Sequence, residues 1–312
     1  MGVSVIRARL KDAAVFSSGR PLRGILPQLC LLLPVLGILF CPGCRSLFSV
    51  GGDDNEFPEP QQRPESVITE VFLETLSWDG SARVACDSLD VLVFSAAGRR
   101  ELELHRRCGF NDSLNLRTTP GDKLLALLSD SPFRLNTALL NTFDAVELLV
   151  FNFQDDNPTL PIRTAQGTFL AGSRLEVRLQ PLMCRVVVES VTNAMDGYKL
   201  FENPRAFLSN VNPQAEAFRT NGFCWLGQAV DTLKTPLPCD IGLFTQYPGT
   251  QLFCYPNDVE PSISNPATVL NLEGECDGVT RCFPLTLPPL QRGCSVSAEF
   301  LFDETDYSAR VL

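Results

Sequence analysis

The 312-residue sequence holds one histidine, His105, and two tryptophans, Trp78 and Trp225. A Ser-His-Asp or Cys-His centre would have to be built on His105 alone. That residue ends the stretch Arg100-Glu-Leu-Glu-Leu-His105, whose period of two places Leu102 and Leu104 inward and His105 on the polar face; it reads as a solvated surface histidine. Glycine-rich phosphate loops are missing, and no CxxC pair occurs beyond the first 44 residues, so neither phosphate-loop nor zinc-ribbon chemistry is supported. Asp155-Asp156-Asn157 matches part of a calcium loop but lacks its glycine and distal glutamate, and reads as an acidic turn. No catalytic residue, metal ligand or cofactor is expected. Basic charge is scarce as well. The formal net charge is −10, and the first 44 residues carry Arg7, Arg9, Lys11, Arg20 and Arg23 against Asp12, which leaves −14 for the remainder. Such a surface repels phosphate backbones and anionic lipid, so nucleic acid is not an expected partner and membrane attachment would need a covalent or hydrophobic device.

That device is legible at the N-terminus. Five basic residues precede an apolar run from Gly24 to Cys41, interrupted by Pro27 and Pro34. The run is short for a spanning helix and its prolines disfavour one, whereas a basic region, an apolar region and a small residue at the cut describe an export signal. The small residue is Gly43, directly before Cys44, the arrangement in which the cysteine thiol is lipidated. Cys41 is the poorer candidate, because Phe40 before it is bulky. Residues 1–44 are therefore expected to be a lipoprotein signal peptide including Cys44. Residues 45–65, rich in glycine, proline and acid, cannot bury enough apolar area to fold alone and read as a flexible tether.

From Val67 onward the signal is strands. Leu89–Phe94 is nearly continuously apolar, as in a central strand. Pro120-Gly121-Asp122 is a turn before a strand at Lys123–Leu128. Asn136–Phe143 suggests a short helix, Val146–Phe153 a strand, and Leu175, Val177 and Leu179 alternate with polar residues. Further strands are expected at Arg185–Thr192, Tyr198–Phe201, Ala206–Val211, Leu252–Tyr255, Thr268–Leu272, Arg281–Leu285 and Ser295–Phe302. No long helical period appears after the leader. The expected fold is all-β, with sandwiches over residues 66–180 and 181–312. In the Ser295–Phe302 strand, Val296, Ala298, Phe300 and Phe302 share one face. That face either completes its own sandwich, the preferred reading, or enters a neighbouring subunit.

Twelve cysteines are present, nine of them beyond the leader, an odd number that cannot pair completely within one chain. Several sit in apolar runs and read as buried small hydrophobes. Cys276 and Cys282 flank Asp277–Arg281, a hairpin-like loop that could set them opposite each other as a disulfide.

Leu89–Ser95 (LDVLVFS), Thr119–Lys123 (TPGDK), Leu179–Val188 (LQPLMCRVVV), Gly197–Leu200 (GYKL), Asn203–Asn212 (NPRAFLSNVN) and Leu252–Asn257 (LFCYPN), taken in this order, resemble the fimbrillin-associated anchor lipoproteins (FimB-type) of type V pili of Bacteroidales. The resemblance spans most of residues 66–300. It implies two tandem transthyretin-like β-sandwich domains, lipid (palmitate-type acyl chains) on Cys44, a place at the cell outer membrane, and a role as anchor or accessory subunit of a surface fimbrium. Its implied partners are fimbrial subunits joined by β-strand addition, and it supplies no catalytic residues. Nine cysteines beyond the leader and a charged segment after Phe302 depart from the pattern. The rival reading is a surface lipoprotein that binds glycan or host protein through sandwich loops, although Trp78 and Trp225 read as core or strand-end residues.

Overall fold

The computed structural model describes residues 6–9, 65–75, 78, 84–224 and 227–312, which fall in one compact unit. Cys44, nearly all of the leader and tether, and Trp225 lie outside the described residues. A short strand β1 (Ile6–Arg9) is followed by β2 (Val67–Thr75), β3 (Ser88–Ser95), β4 (Leu102–Gly109), β5 (Ser113–Thr118) and β6 (Asp122–Ser129). Helix α1 (Phe143–Glu147), β7 (Val150–Asn152), β8 (Arg163–Leu170) and β9 (Arg174–Pro181) complete the first half. Its main sheet runs β4-β3-β6-β8-β9-β2-β5. Because β8 and β9 pair only at Arg163↔Pro181 and Thr164↔Gln180, the sheet folds over at that seam and becomes a sandwich. Leu89, Val91 and Val93 of β3 enclose its core with Val71, Leu73, Leu116, Leu127 and Leu179.

The near-continuous apolarity of β3 has a cause: both its faces are covered. Leu92 and Phe94 point the other way, into a second cluster that holds Ala126, Leu128, Phe143 and Phe151 together with Met183, Ala215, Phe218 and Tyr255 of the second half. The sheets change over at Pro181–Cys184, yet the two halves share this core.

The second half contains β10 (Cys184–Asn193), β11 (Glu202–Ser209), β12 (Gln214–Glu216), β13 (Thr235–Pro236), β14 (Phe244–Gln246), β15 (Thr250–Cys254), β16 (Val269–Cys276), β17 (Val279–Thr286), β18 (Ser295–Phe302) and β19 (Asp306–Val311). One sheet runs β1-β19-β18-β10-β14, with β15 also on β10; the facing sheet runs β13-β11-β16-β17. Between them lie Val186, Val188, Leu208, Leu252, Leu272, Phe283, Ala298, Phe300 and Phe302. The strand β18 is thus seated in its own sandwich, parallel to β10 and antiparallel to β19. Strand β12 reaches back to pair with β7, with Ala215 opposite Phe151.

Several sequence expectations are corrected. The helix lies over Phe143–Glu147 instead of Asn136–Phe143. Thr142 caps it, its Oγ1 accepting from the Ala145 N–H at 3.3 Å, so the helix starts where the expected one stopped. The strand expected at Val146–Phe153 shrinks to Val150–Asn152 for the same reason. Tyr198–Phe201 is a 3₁₀ turn over Asp196–Tyr198 followed by a single bridge from Phe201 to Ile241. In β4, a bulge at Glu103 breaks the alternation: Leu104 packs on the first sandwich core, but Leu102 turns to the shared cluster. The charged segment after Phe302 folds into β19. Cys276 and Cys282 do sit on one hairpin, but they are free thiols on opposite faces. Asp277-Gly278, with φ of 52° and 73°, forms a two-residue turn that sets Cys276 opposite Val279 and Cys282 opposite Glu273.

Candidate functional site

His105 does not stand in solvent. Its Nε2 lies 3.1 Å from Oδ1 of Asp90, a carboxylate on β3 that is 1% exposed. Arg107 completes the cluster at 3.3 Å from Asp90 Oδ2, and donates to the carbonyl oxygens of Ser131 (3.1 Å) and Phe133 (2.9 Å). A carboxyl group this deep in the sheet is tolerable only with polar partners, and Arg107 and the His105 ring supply them. The cluster ties the 131–133 loop to β3 and β4. The expected solvated histidine is therefore a half-buried structural partner.

A second polar cluster sits at the bulge. Lys123, 3% exposed, donates to Glu103 Oε2 at 2.6 Å and to Thr119 Oγ1 at 2.7 Å, and the Thr119 N–H also donates to Glu103. Burial pushes the Glu103 carboxyl up, but these hydrogen bonds outweigh it and leave the group below its ordinary value. The Thr119–Lys123 motif is thus a turn held at both ends, with Gly121 at φ 105°.

Asp155 and Asp156 face the chain's own donors. Asn152 donates to Asp155 at 2.8 Å; the N–H groups of Asn157 and Ile162 donate to Asp156 Oδ1 at 2.8 and 3.0 Å. Burial raises the Asp156 carboxyl to about 6 against these bonds. Among the described residues no three His, Cys, Asp or Glu side chains gather as a metal-ligand set. No helix among them is long and apolar enough to cross a membrane. Trp78 is half-buried with its ring 5.7 Å from Phe253, in the shared core region.

One feature with open binding capacity is the seam where β8 and β9 diverge. Past Thr164↔Gln180 the two strands separate. The β9-facing edge of residues 165–170 and the β8-facing edge of residues 174–179 then carry no strand partner among the described residues. Between them lies a groove of about 350 Å³, lined by Thr164–Gly167 and Leu175–Arg178, with Leu125 below and Phe218 and Arg292 from the second half at its end. Arg292 pins the vertex. Its guanidinium donates to the carbonyl oxygens of Ala217 (2.9 Å), Arg219 (3.2 Å), Gln180 (3.2 Å) and Thr164 (3.4 Å), and to the Thr164 hydroxyl. Burial lowers Arg292 to about 10, so the clamp stays fully charged at neutral pH. A second strand edge, the outer side of β19, is lined by β1, with Ile6 opposite Ala309. The groove was not legible in the sequence, because it arises from where two strands stop pairing.

No family model matches the sequence, and no curated protein does. Solved structures do match. A Parabacteroides distasonis protein described as a candidate cell adhesion protein superimposes with a TM-score of 0.59 at 10% identity, over 79% of this chain and 96% of its own. A fimbrilin (fimA) from Porphyromonas gingivalis gives 0.56 at 10% identity, over 76% and 90%. The tip fimbrial protein Mfa3 from Porphyromonas gingivalis, with a C-terminal truncation, gives 0.54 at 12%, over 79% and 99%. The chain thus has the β-sandwich fold found in fimbrial and cell adhesion proteins of these bacteria.

Proposed function

We propose that the chain is a non-enzymatic, surface-exposed lipoprotein of the outer membrane that serves as anchor or accessory subunit of a fimbrium. The observation that carries this reading is the groove between β8 and β9, whose two facing backbone edges offer unpaired N–H and C=O groups to an extended segment of another subunit. Six residues of β8, 165–170, give such a segment about 20 Å of edge. The fold shared with fimbrial proteins supports the same role, and the Gly43-Cys44 junction supports lipid anchoring. Cutting before Cys44 would also remove Ile6–Arg9 and so free the outer edge of β19 for pairing. Acyl chains at Cys44 would hold the base in the membrane while strand pairing carries the load along the fibre.

Cell fractionation of Cys44→Ala tests the anchor: the protein should leave the membrane fraction or stall as a precursor. A mature-sized band still in the membrane defeats lipidation at Cys44 and points to Cys41. For the groove, Thr168→Pro removes an N–H from the β9-facing edge, because the Ile162 carbonyl points to β9 and the backbone groups of β8 alternate from it, and the Thr168 side chain is exposed; the variant should lower capture of fimbrial subunits at unchanged melting temperature. Undiminished capture by that variant places strand addition elsewhere.

A further inference from the structure

Three of the nine cysteines stand in one row. Cys184 opens β10 and lies directly opposite Cys254 of β15 in the antiparallel register. On its other side β10 runs parallel to β18 with Arg185 opposite Ser295, so the preceding residue, Cys294, flanks Cys184. The Arg185 N–H donates to the Cys294 carbonyl at 2.9 Å, which fixes this alignment. Neighbouring strands lie about 5 Å apart, within the Cα separation a disulfide accepts. All three side chains belong to the core between the two sheets of the second half. They are not equivalent. Cys184 and Cys254 are fully buried, whereas Cys294 is partly open to solvent.

The local chemistry sorts their roles. The Cys184 thiol donates to the Gln291 carbonyl at 3.0 Å. Burial and its two thiol neighbours push Cys184 well above the ordinary thiol range. Cys294 goes the other way: hydrogen bonding from Cys184, outweighing burial, lowers it. The accessible member of the row is thus also its best thiolate, and a thiolate is the form that attacks disulfides.

We propose that Cys294 and Cys184 form a redox-active dithiol that closes into a disulfide by exchange with a partner protein's CxxC-type disulfide. The Cys294 thiolate attacks one sulfur of that disulfide, forming a mixed disulfide and expelling the other sulfur as a thiolate. Cys184 then gives up its proton to the partner's expelled thiolate, its sulfur attacks Cys294, and the partner's second sulfur takes a proton from solvent as it leaves. The S–S bond to the partner breaks, and the partner leaves as a dithiol. Two thiols of this chain are oxidised by two electrons and one partner disulfide is reduced. Cys254, on the far side of Cys184, stays a thiol because no oxidant reaches it first. The product ties β10 to the start of β18. It also fixes the 290–294 turn, which carries the Arg292 clamp at the vertex of the groove.

The test uses the full-length chain with an oxidised thioredoxin-type protein, followed by intact mass and peptide mapping without reduction. The expected product has lost two hydrogens and holds one Cys184–Cys294 link. Cys294→Ser should slow oxidation of the row at least tenfold, Cys254→Ser should leave it unchanged, and Cys184→Ser should trap the mixed disulfide on Cys294. Circular dichroism of each variant checks that it is folded; if Cys294→Ser does not fold, the peptide map of the unaltered chain decides alone. A Cys184–Cys254 link overturns the proposal. So does a link confined to the exposed Cys239 or Cys282, or full retention of free thiols at all three positions.

Discussion

Replacing Arg292 by alanine should destabilise the whole unit and not the second half alone. The guanidinium donates to five acceptors on four residues: Thr164 of β8, Gln180 of β9, and Ala217 and Arg219 of the segment after β12. Hydrogen bonds to a charged group contribute about 1.5–3 kcal/mol each when measured singly. They do not add here, because one side chain makes them all and part of it is solvent-accessible. Truncation leaves the carbonyls of Gln180 and Arg219 to be rehydrated through the groove, while Ala217 keeps the Thr164 hydroxyl as donor at 2.7 Å, so the net loss should be about 3–5 kcal/mol. That is a large share of the roughly 5–15 kcal/mol available to a folded domain. Arg292→Lys keeps the charge but not the planar fork, and should cost about 2 kcal/mol. Urea unfolding followed by tryptophan fluorescence and by far-ultraviolet circular dichroism measures both variants. The two signals should move together to lower urea. A loss below about 1 kcal/mol for Arg292→Ala, with the groove intact, would refute the idea that this residue couples the halves.

His105→Ala should cost about 1–2 kcal/mol, above the usual surface range, because it removes a partner from the buried Asp90; a change under 0.5 kcal/mol in the same urea assay argues against that pairing. Gly274→Ala should lose about 1–3 kcal/mol, since an added Cβ would come within 2.6 Å of the Phe201 ring and 3.0 Å of the Glu202 carbonyl, whereas Gly167→Ala, facing open space, should stay within about 0.5 kcal/mol. Asp156 holds its proton to about pH 6 in the folded chain, against 3.8 for the ordinary group, so stability contributed by the protonated form should fall as pH rises from about 4 to 6 and then level off. Asp156→Asn keeps an acceptor for Asn157 and Ile162; it should flatten that slope and be more stable than the unaltered chain at pH 7, by up to about 3 kcal/mol. Equal slopes for the two proteins between pH 4 and 6 remove Asp156 as the cause.

Strands whose faces are both covered, such as β3, or whose faces split cleanly, such as β9, were legible because burial writes directly into residue order. The miss at β19 has the opposite origin. Of Asp306–Val311 only Ala309 is buried, so pairing with β18 and not apolar content holds it in place. The Cys276–Cys282 expectation counted a five-residue loop and passed over Asp277-Gly278, a dipeptide that favours positive φ at both positions and shortens the turn. Strict alternation puts Leu102 and Leu104 on one inward face, but a one-residue bulge, which leaves no mark in an alternating sequence, sends them to different cores. Cys44 and the leader were read from local chemistry alone. The groove and the cysteine row depend on β8 stopping short of full pairing with β9 and on β10 meeting β15 and β18, contacts that join distant parts of the chain.

The parallel pairing of β10 with β18 also sets an order of events in time. Val186 meets Val296 across more than a hundred intervening residues, and β18 occupies the place between β10 and β19 in its sheet. Loops of that length close slowly, and the first half faces a similar wait, since Val71 must find Leu175. During synthesis the apolar face of β10 therefore emerges long before β18. Until residues 295–302 arrive, Val186, Val188 and Val191 have no closed sheet to enter, and the nascent chain is at its most vulnerable to aggregation and in greatest need of a holding chaperone.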